Sequence, residues 1–217
     1  KEQAKTLAQR LKIPICQTFK IDSAQDITNI FKKTKSKKII LKSNFGGGGR
    51  GSRLISKSEN YEDTLNVVKN ESLSFSGSSN IFAEEYIENA RHIEVQMLGD
   101  GEKCVHFFER DCSLQRNFQK IIEITPAPNL KQSTKDLIYQ YATEICDEVS
   151  LKGLATVEFL LNKEQKIFFI EVNPRIQVEH TITEELARVD LVRAHINIFS
   201  GLKLKDLKLK TAFKLGN

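Results

Sequence analysis

The sequence predicts an α+β protein built from antiparallel hairpins and separate helices. Apolar residues recur at helical spacing over residues 2–11 and 133–149, which indicates amphipathic helices. Polar and apolar residues alternate over residues 91–98, which indicates a strand. A turn at residues 99–101 then returns the chain as an antiparallel partner that begins at Cys104.

Composition places the chain among ordinary globular proteins, since 40% of its 217 residues are hydrophobic and 28% are charged. No apolar run approaches the ~20 residues that cross a bilayer. The four cysteines lack Cys-x-x-Cys spacing, so we predict reduced, structural thiols and an intracellular protein of the cytoplasm or mitochondrion. Lysines interleaved with leucines near the end contribute to the net charge of +5, and we interpret them as a solvated face rather than a nucleic-acid site.

The first half of the chain predicts short elements in a regular succession. A helix over residues 2–11 ends before Pro14, a strand covers 15–21, and Ser23 caps a helix that reaches about Lys33. Further elements follow in order: a strand at 37–42, a glycine-rich loop at 43–51, a strand at 52–56, a helix at 59–69, a serine-rich loop at 72–80 and a strand at 81–87.

The glycine-rich loop matches Gly-x-Gly-x-x-Gly at Gly46, Gly48 and Gly51. A dinucleotide-binding fingerprint must open a helix, whereas the residues that follow read as a strand, so we reject that interpretation. No Gly-Lys-Ser/Thr ends the loop, which excludes a Walker loop. A glycine loop between two strands is typical of a hairpin that covers phosphates with backbone N–H groups, and Lys42 adds suitable charge. A plain surface loop is the alternative.

In the second half, alternation places His92, Glu94 and Gln96 on one face of a half-buried strand. Residues 111–120 concentrate polar side chains after a strand end, where binding groups tend to lie. The remaining predicted elements are a strand at 104–110, a helix at 133–149, strands at 153–161 and from Lys166 onward, and a helix at 181–200 stopped by Gly201.

The most polar stretch, residues 169–180, predicts a binding site. Glu171 and Asn173 share one face of an extended strand. If a two-residue loop at residues 164–165 joins this strand to the preceding one, Glu158 lies directly opposite Glu171, and a one-residue slip would break the pairing. Two carboxylates and an amide suit a hard cation, Mg²⁺ or Mn²⁺, bridged to a nucleotide. An ordinary solvated strand edge is the alternative.

Four ordered motifs together resemble the biotin carboxylase family of ATP-grasp enzymes. They are the glycine loop after Lys42, residues 84–96, residues 109–120 and residues 171–180. Residues 173–185 are most similar to the biotin carboxylase domain of pyruvate carboxylases, although acetyl-CoA, propionyl-CoA and urea carboxylases share this domain, so the acyl acceptor stays open. The resemblance implies an ATP-grasp fold with a small lid subdomain and an antiparallel-sheet catalytic core.

The resemblance also implies an activity, the ATP-dependent carboxylation of biotin by bicarbonate through carboxyphosphate. It implies ATP and Mg²⁺ or Mn²⁺ as cofactors, biotin on a carrier domain, a carboxyltransferase elsewhere in the parent protein and a homo-oligomeric parent, with no nucleic-acid or membrane partner. Carried over by motif, the ATP-binding residues are Lys1, Lys42, Gly46, Gly47, Gly48, Gly49, Glu84, Glu85, Ile87, His92 and Gln115. The metal-binding residues implied in the same way are Glu158, Glu171 and Asn173. The bicarbonate-binding residues are Lys120, Arg175, Gln177 and Val178. Glu179 is the general base, and Arg175 and Lys120 are also catalytic.

The same resemblance implies three segments: a linker helix over 1–15, a lid subdomain over 16–86 and part of the catalytic core over 87–217. Phe118 departs from the histidine usual in the family, and the glycine run is shortened to four. Because the chain begins at Lys1 without Met and ends at Asn217, we expect a piece that is incomplete for turnover. Two other hypotheses are a carboxylate–amine ligase of the ATP-grasp family and a nucleotide-binding remnant without catalysis.

Overall fold

The computed structural model describes residues 1–34, 37–43, 52–57 and 60–209, with the backbone alone for residues 75 and 76. The chain forms two compact units. Unit 1 comprises Lys1–Glu2, Ile15–Glu88 and Gln115–Ile121, and unit 2 comprises Gln3–Pro14, Asn89–Leu114 and Ile122–Asn217. The assignment of linker, lid and core roles to residues 1–15, 16–86 and 87–217 stays a prediction.

The described residues form helices and strands in mixed order. In chain order they are α1 (Glu2–Arg10), β1 (Thr18–Ile21), α2 (Ala24–Lys33), β2 (Lys38–Ser43), β3 (Ser52–Ser56), α3 (Tyr61–Ser76), β4 (Ile81–Glu85), β5 (Arg91–Asp100), β6 (Cys104–Arg116), β7 (Gln119–Ile124), α4 (Gln132–Glu148), β8 (Lys152–Leu161), β9 (Ile167–Asn173), α5 (His180–Ala187) and α6 (Leu191–Phe199), followed by a short 3-10 helix over Leu204–Leu207. The predicted α+β class is confirmed.

Unit 1 is a four-stranded antiparallel sheet in the order β1-β4-β2-β3. Ile27 and Phe31 of α2 and Leu65 and Val68 of α3 pack with the buried strand residues in one core. Their helical spacing gives each helix a single apolar stripe, which explains why both helices stay on the sheet. The glycine-loop residues Gly46–Gly49 lie outside the described residues.

The predicted serine-rich loop is wrong in its first half, because α3 continues to Ser76. Ser72 is only 1% exposed, and its hydroxyl donates to the carbonyl of Ser78 at 2.6 Å. Ser74 donates back to the carbonyl of Asn70 at 2.8 Å. A carbonyl within the helix thus accepts from Ser74, and a carbonyl of the loop after the helix accepts from Ser72. Gly77, with φ of 67°, ends the helix.

Unit 2 holds most of a five-stranded sheet in the order β7-β6-β5-β8-β9. The central strand, β5, pairs with β6 on one side and β8 on the other. The prediction of a half-buried β5 is wrong, since Glu94 is 0% exposed and Gln96 is 1% exposed on its polar face. That face continues to Leu98, which packs with Leu154 and with apolar residues of α6.

Two further boundaries differ from the predicted ones. The strand predicted to end at Arg110 extends to Arg116 and returns as β7, so the polar residues 111–120 form a hairpin rather than a loop after a strand end. Its turn places Asn117 and Phe118 at φ of 51° and 63°. The helix predicted over residues 181–200 is two helices, because Arg188 turns left-handed and the Asp190 carboxylate accepts from the N–H of Arg193 at 2.7 Å.

All four cysteines are free thiols, and Cys16, Cys112 and Cys146 are buried. A hydrogen bond with the Cys104 thiol, together with burial, raises the pKa of Cys146 far above its ordinary value. This thiol therefore stays protonated, as expected of a structural cysteine. Among the described residues, no helix is both long enough and apolar enough to span a membrane.

Candidate active site

A row of charged side chains crosses four neighbouring strands of the unit 2 sheet. Arg110 on β6 lies opposite Glu94 on β5, Glu94 lies opposite Glu158 on β8, and Glu158 lies opposite Glu171 on β9. Residues in direct cross-strand register have Cβ atoms about 5 Å apart, so the side chains of this polar row are neighbours. Across the sheet, one guanidinium is thus followed by three carboxylates on successive strands. Neighbouring carboxylates repel each other unless cations or hydrogen-bond donors offset their charges.

A β-bulge in β9 places Glu171 in the polar row. Phe159 pairs with Phe169 and Glu158 pairs with Glu171, so Ile170 has no partner on β8. The loop before β9 is one residue longer than predicted, since the N–H of Asn162 bonds the carbonyl of Lys166 at 3.0 Å. The bulge then restores the register. The predicted pairing of Glu158 with Glu171 is therefore confirmed, although the predicted two-residue loop is wrong.

A second bulge, in β6, gives Glu94 its cationic partner. Met97 pairs with His106, whereas Val95 pairs with Glu109, so β6 carries one extra residue in this interval. Phe108 lies within it at φ of 59°. Without that residue, Glu94 would face Glu109, and two buried carboxylates would oppose each other. The bulge replaces that repulsion with an ion pair.

Arg110 is fully buried, and its guanidinium donates hydrogen bonds to several side chains. Its Nε donates to Glu94 Oε1 at 2.6 Å, and its Nη1 donates to Gln96 Oε1 at 3.0 Å and to Thr183 Oγ1 at 2.8 Å. Its Nη2 donates to Thr156 Oγ1 at 3.4 Å. Acceptors from β5, β8 and α5 therefore converge on one cation, and such charge-assisted bonds are among the strongest in proteins.

Glu158, which is 4% exposed, makes two side-chain bonds in the middle of the row. Its Oε2 lies 2.7 Å from His92 Nε2, and its Oε1 accepts from Asn173 Nδ2 at 2.8 Å. The predicted metal residues Glu158, Glu171 and Asn173 thus adjoin one another, and His92 of the predicted nucleotide pocket adjoins them. The main chain of His92 also donates to Ser113 Oγ at 3.0 Å.

The donor set fits a hard divalent cation. His92, Glu94 and Glu158 present ligand atoms within 4.8 Å of one another. Glu94 already binds Arg110, so a cation there would lie against a buried positive charge. At the other end of the row, Glu171 and Asn173 lie on β9, the last strand of the sheet, and are partly exposed. Carboxylate and amide oxygens are the ligands that Mg²⁺ prefers, so the Glu158–Glu171 end fits the ion better.

The predicted bicarbonate residues lie on the segment between β9 and α5. Arg175 is exposed and Val178 is 91% exposed, whereas Gln177 is 8% exposed. Among the described residues, Gln177 Oε1 is buried without a hydrogen-bond donor. Glu179 is the residue before the first turn of α5, and the N–H of His180 bonds the carbonyl of Gln177 at 3.2 Å. The segment is a turn, so the strand predicted from Lys166 onward ends at Asn173.

The predicted nucleotide residues of unit 1 include a buried ion pair. Lys42 Nζ on β2 lies 2.8 Å from Glu84 Oε2 on β4, and Glu84 is 3% exposed. Glu85 ends β4, with its N–H bonded to the carbonyl of Gln17 at 3.0 Å, and Ile87 follows, partly exposed. The remaining predicted site residues that the structure describes in this unit are Lys1, Gln115 and Lys120, and each is partly exposed. Gln115 and Lys120 lie on the β6–β7 hairpin.

Sequence reasoning missed Glu94, Arg110 and Thr183 as site residues. Alternation placed Glu94 on the same face as His92, so that signal was available. Arg110 could not be found in this way, because regular antiparallel pairing through the β5–β6 turn brings Glu109 opposite Glu94 and only the bulge brings Arg110 there. Thr183 lies one turn into a helix, and only tertiary packing brings it to the sheet.

The family model of the carbamoyl-phosphate synthase L chain, ATP-binding domain, matches residues 1–207. The chain belongs to this family. Pyruvate carboxylase 1 of Caenorhabditis elegans is 46% identical over 180 residues, which cover 82% of this chain and 15% of that protein. The predicted resemblance to biotin carboxylases is confirmed, and the chain spans less than a fifth of the length of the curated relatives it matches.

Two solved structures carry the same fold. Biotin carboxylase from Campylobacter jejuni, solved as a β-γ-ATP complex, superposes with a TM-score of 0.87 at 34% identity, covering 93% of this chain and 46% of that chain. The biotin carboxylase domain of Hydrogenobacter thermophilus 2-oxoglutarate carboxylase, a dimer with MgADP, ADP and bicarbonate, superposes with a TM-score of 0.86 at 33% identity, covering 94% and 45%. The predicted ATP-grasp fold is confirmed for this member of the ATP-binding domain family.

Proposed function

We propose that this chain is part of a biotin carboxylase that carboxylates biotin with bicarbonate at the cost of ATP. The observation that carries the proposal is the register of Glu158 opposite Glu171, with Asn173 and His92 bonded to Glu158. Phosphoryl transfer needs charge neutralisation and positioning more than covalent chemistry, and paired carboxylates that hold Mg²⁺ supply both. The related biotin carboxylase domain from Hydrogenobacter thermophilus was solved with MgADP and bicarbonate bound.

In this proposal Glu158, Glu171 and Asn173 hold the metal ion. When bound, Mg²⁺ neutralises the charge that develops on the phosphates during transfer. The His92 imidazole restrains one oxygen of Glu158, and the Asn173 amide restrains the other. A carboxylate held in this way has one orientation toward the metal. His92 is thus an outer-shell partner, whereas Asn173 restrains Glu158 through its Nδ2 and would bind the ion through its Oδ1.

Bicarbonate is assigned to Arg175, Gln177 and Val178, and Glu179 is assigned as the general base. The buried Gln177 Oε1 supports this assignment, because an acceptor that has no donor among the residues described by the structure suits the O–H of bicarbonate. Glu179, directly before α5, is close in sequence to the same ligand. A base must lie within hydrogen-bond reach of the proton it removes, and the short turn from Gln177 to Glu179 permits this.

The nucleotide-binding residues are assigned one by one from the motifs. The phosphates would be bound by Lys1, Lys42 and the glycine residues 46–49. The adenine would be bound by Glu84, Glu85 and Ile87. The remainder of the nucleotide pocket would be formed by His92 and Gln115. Lys120 would act on bicarbonate. The ion pair of Lys42 with the buried Glu84 supports the first of these roles, since it holds the ammonium in one place.

We further propose pyruvate as the acceptor of the intact enzyme, a biotinyl carrier domain and a carboxyltransferase elsewhere in it, a homo-oligomeric assembly and an intracellular location. Pyruvate carboxylases from several organisms support this, and some of them are named mitochondrial. Mn²⁺ as a substitute for Mg²⁺ belongs to the same proposal and rests on the oxygen ligands of the site.

The test is the substrate dependence of ATP cleavage by the full-length protein. ADP release should require Mg²⁺ and bicarbonate together and should rise further with free biotin. Omitting bicarbonate while retaining Mg²⁺ is the control for simple ATP hydrolysis. Cleavage that requires an amine in place of biotin would instead assign a carboxylate–amine ligase, and absence of Mg-ATP binding by calorimetry would assign a remnant without catalysis.

A further inference from the structure

The turn that carries Arg175 to Glu179 is tied to the polar row at both of its ends. At its beginning, Asn173 Nδ2 donates to Glu158 Oε1 at 2.8 Å. At its end, Thr183 Oγ1 accepts from Arg110 Nη1 at 2.8 Å. Glu158 and Arg110 belong to the same row across the sheet. The two ties therefore fix both ends of one short segment against one set of residues.

The tie at Thr183 is rigid. Thr183 and Arg110 are both 0% exposed, so water does not compete for their bond. The other acceptors of Arg110 leave its guanidinium one orientation. Glu94 binds Nε, and Gln96 binds Nη1 while donating its own amide to the carbonyl of Ala155 at 3.0 Å. A planar fork held at several points fixes the place of the Thr183 hydroxyl.

The position of Thr183 also determines the position of Glu179. The two residues are one helical turn apart, and Glu179 directly precedes α5 (His180–Ala187). A shift of α5 along or about its axis would move both together. A methyl group in place of the hydroxyl would fill the same volume but could not accept from Arg110, so the structure uses this threonine for its hydrogen bond rather than for its packing.

We propose that Arg110 and Thr183 are positioning residues that hold Glu179 and the bicarbonate turn in register with the metal-binding carboxylates. This inference rests on the proposed function. Its physical reason is that a displacement of about 1 Å between reacting groups can cost about 100-fold in rate. The buried arginine thus connects the metal end of the site with its base, through Glu94 on one side and Thr183 on the other.

The decisive variant is Thr183→Val, with Thr183→Ser as the matched control that keeps the hydroxyl. In the full-length protein, T183V should lower kcat/KM for bicarbonate by about tenfold, the loss expected when Glu179 moves by about half an ångström from its place. The KM for Mg-ATP should stay within about twofold of the parent value, and T183S should stay near the parent in both. Equal losses for T183V and T183S, or a loss confined to Mg-ATP, would overturn the proposal.

A second readout does not depend on the activity. In T183V, backbone amides of residues 178–183 should exchange with deuterium faster than in the parent, while those of β8 should not. Unchanged exchange would overturn the inference even if the enzyme is active. If the parent protein shows no bicarbonate-dependent ATP cleavage, the proposed function fails, and the exchange comparison still decides the tie at Thr183. Should T183V not fold, Thr183→Ala serves the same comparison.

Discussion

Phe169 and Glu171 lie on opposite faces of β9 although they are two residues apart, because Ile170 has no partner on β8. Regular alternation would put both on one face. The bulge instead lets Phe169 pack edge-on against Phe159, with ring centroids 6.1 Å apart, while Glu171 joins Glu158. One short strand therefore supplies both the core and the proposed metal site.

Deletion of Ile170 should preserve the pairing of Glu158 with Glu171, since the strand becomes regular without changing either register. Mg²⁺ affinity measured by calorimetry on the full-length protein with ATP should then stay within a few-fold of the parent. Insertion of an alanine after Ile170 is the matched comparison, because it moves Glu171 out of register with Glu158 whether or not the bulge is retained, and it should abolish Mg²⁺-dependent ATP binding. Loss of binding in both variants would contradict this account of the bulge.

Glu171→Gln should reduce Mg²⁺-dependent ATP cleavage on the order of 100-fold, because it removes one of the two facing carboxylates. The melting temperature should not fall, since Glu171 is partly exposed and loses repulsion from Glu158. Glu164→Gln is the control, as an exposed carboxylate in the loop before the same strand. Activity retained at ordinary Mg²⁺ concentration would refute the role of Glu171.

Arg110→Met should lower the free energy of unfolding by about 3–5 kcal/mol, because it leaves Glu94 buried without its cation. The double variant R110M/E94Q should recover a large part of this loss, since it removes both charges. Urea unfolding of the chain measures each. Arg53→Met breaks an ion pair with Glu71 at an arginine side chain that is 51% exposed, and should cost less than about 1 kcal/mol. No recovery in the double variant would contradict the ion-pair account.

Asp100→Asn should destabilise the chain at neutral pH by about 1–2 kcal/mol. Although burial opposes it, hydrogen bonds from the N–H groups of Leu204, Lys103 and Glu102 lower the pKa of Asp100 from 3.8 to about 2. A depressed pKa stabilises the fold above the unfolded value and loses that contribution as the pH falls. The stability difference between parent and variant should thus be constant above about pH 5 and shrink from about pH 4 toward pH 2. A difference independent of pH would contradict it.

Much of this site follows from sequence because strand alternation and hairpin pairing are local rules. They placed His92 and Glu94 on one face and Glu158 opposite Glu171. The rules failed where a residue was added to a strand, at Ile170 and near Phe108, since a bulge reflects packing of both faces rather than a local preference. The predicted loop length was wrong by one residue, and the bulge at Ile170 compensated for it.

Helix boundaries failed for a related reason. Ser72 and Ser74 favour loops on their own, yet α3 contains both because hydroxyl partners exist in the folded chain. The break between α5 and α6 could have been read from Asp190, a favoured N-cap residue before an apolar helix. Thr183 gave no such signal, since a buried hydroxyl acquires its partner only when Arg110 reaches it from the sheet.

The most direct measurement of the proposed reaction follows oxygen from bicarbonate into phosphate. If a bicarbonate oxygen attacks the γ-phosphate of ATP, cleavage of the resulting carboxyphosphate leaves that oxygen on phosphate. Mass spectrometry of the inorganic phosphate formed by the full-length protein from ¹⁸O-labelled bicarbonate, with biotin and Mg-ATP, should therefore find one labelled oxygen per phosphate. Phosphate that takes its new oxygen from water instead would contradict the account.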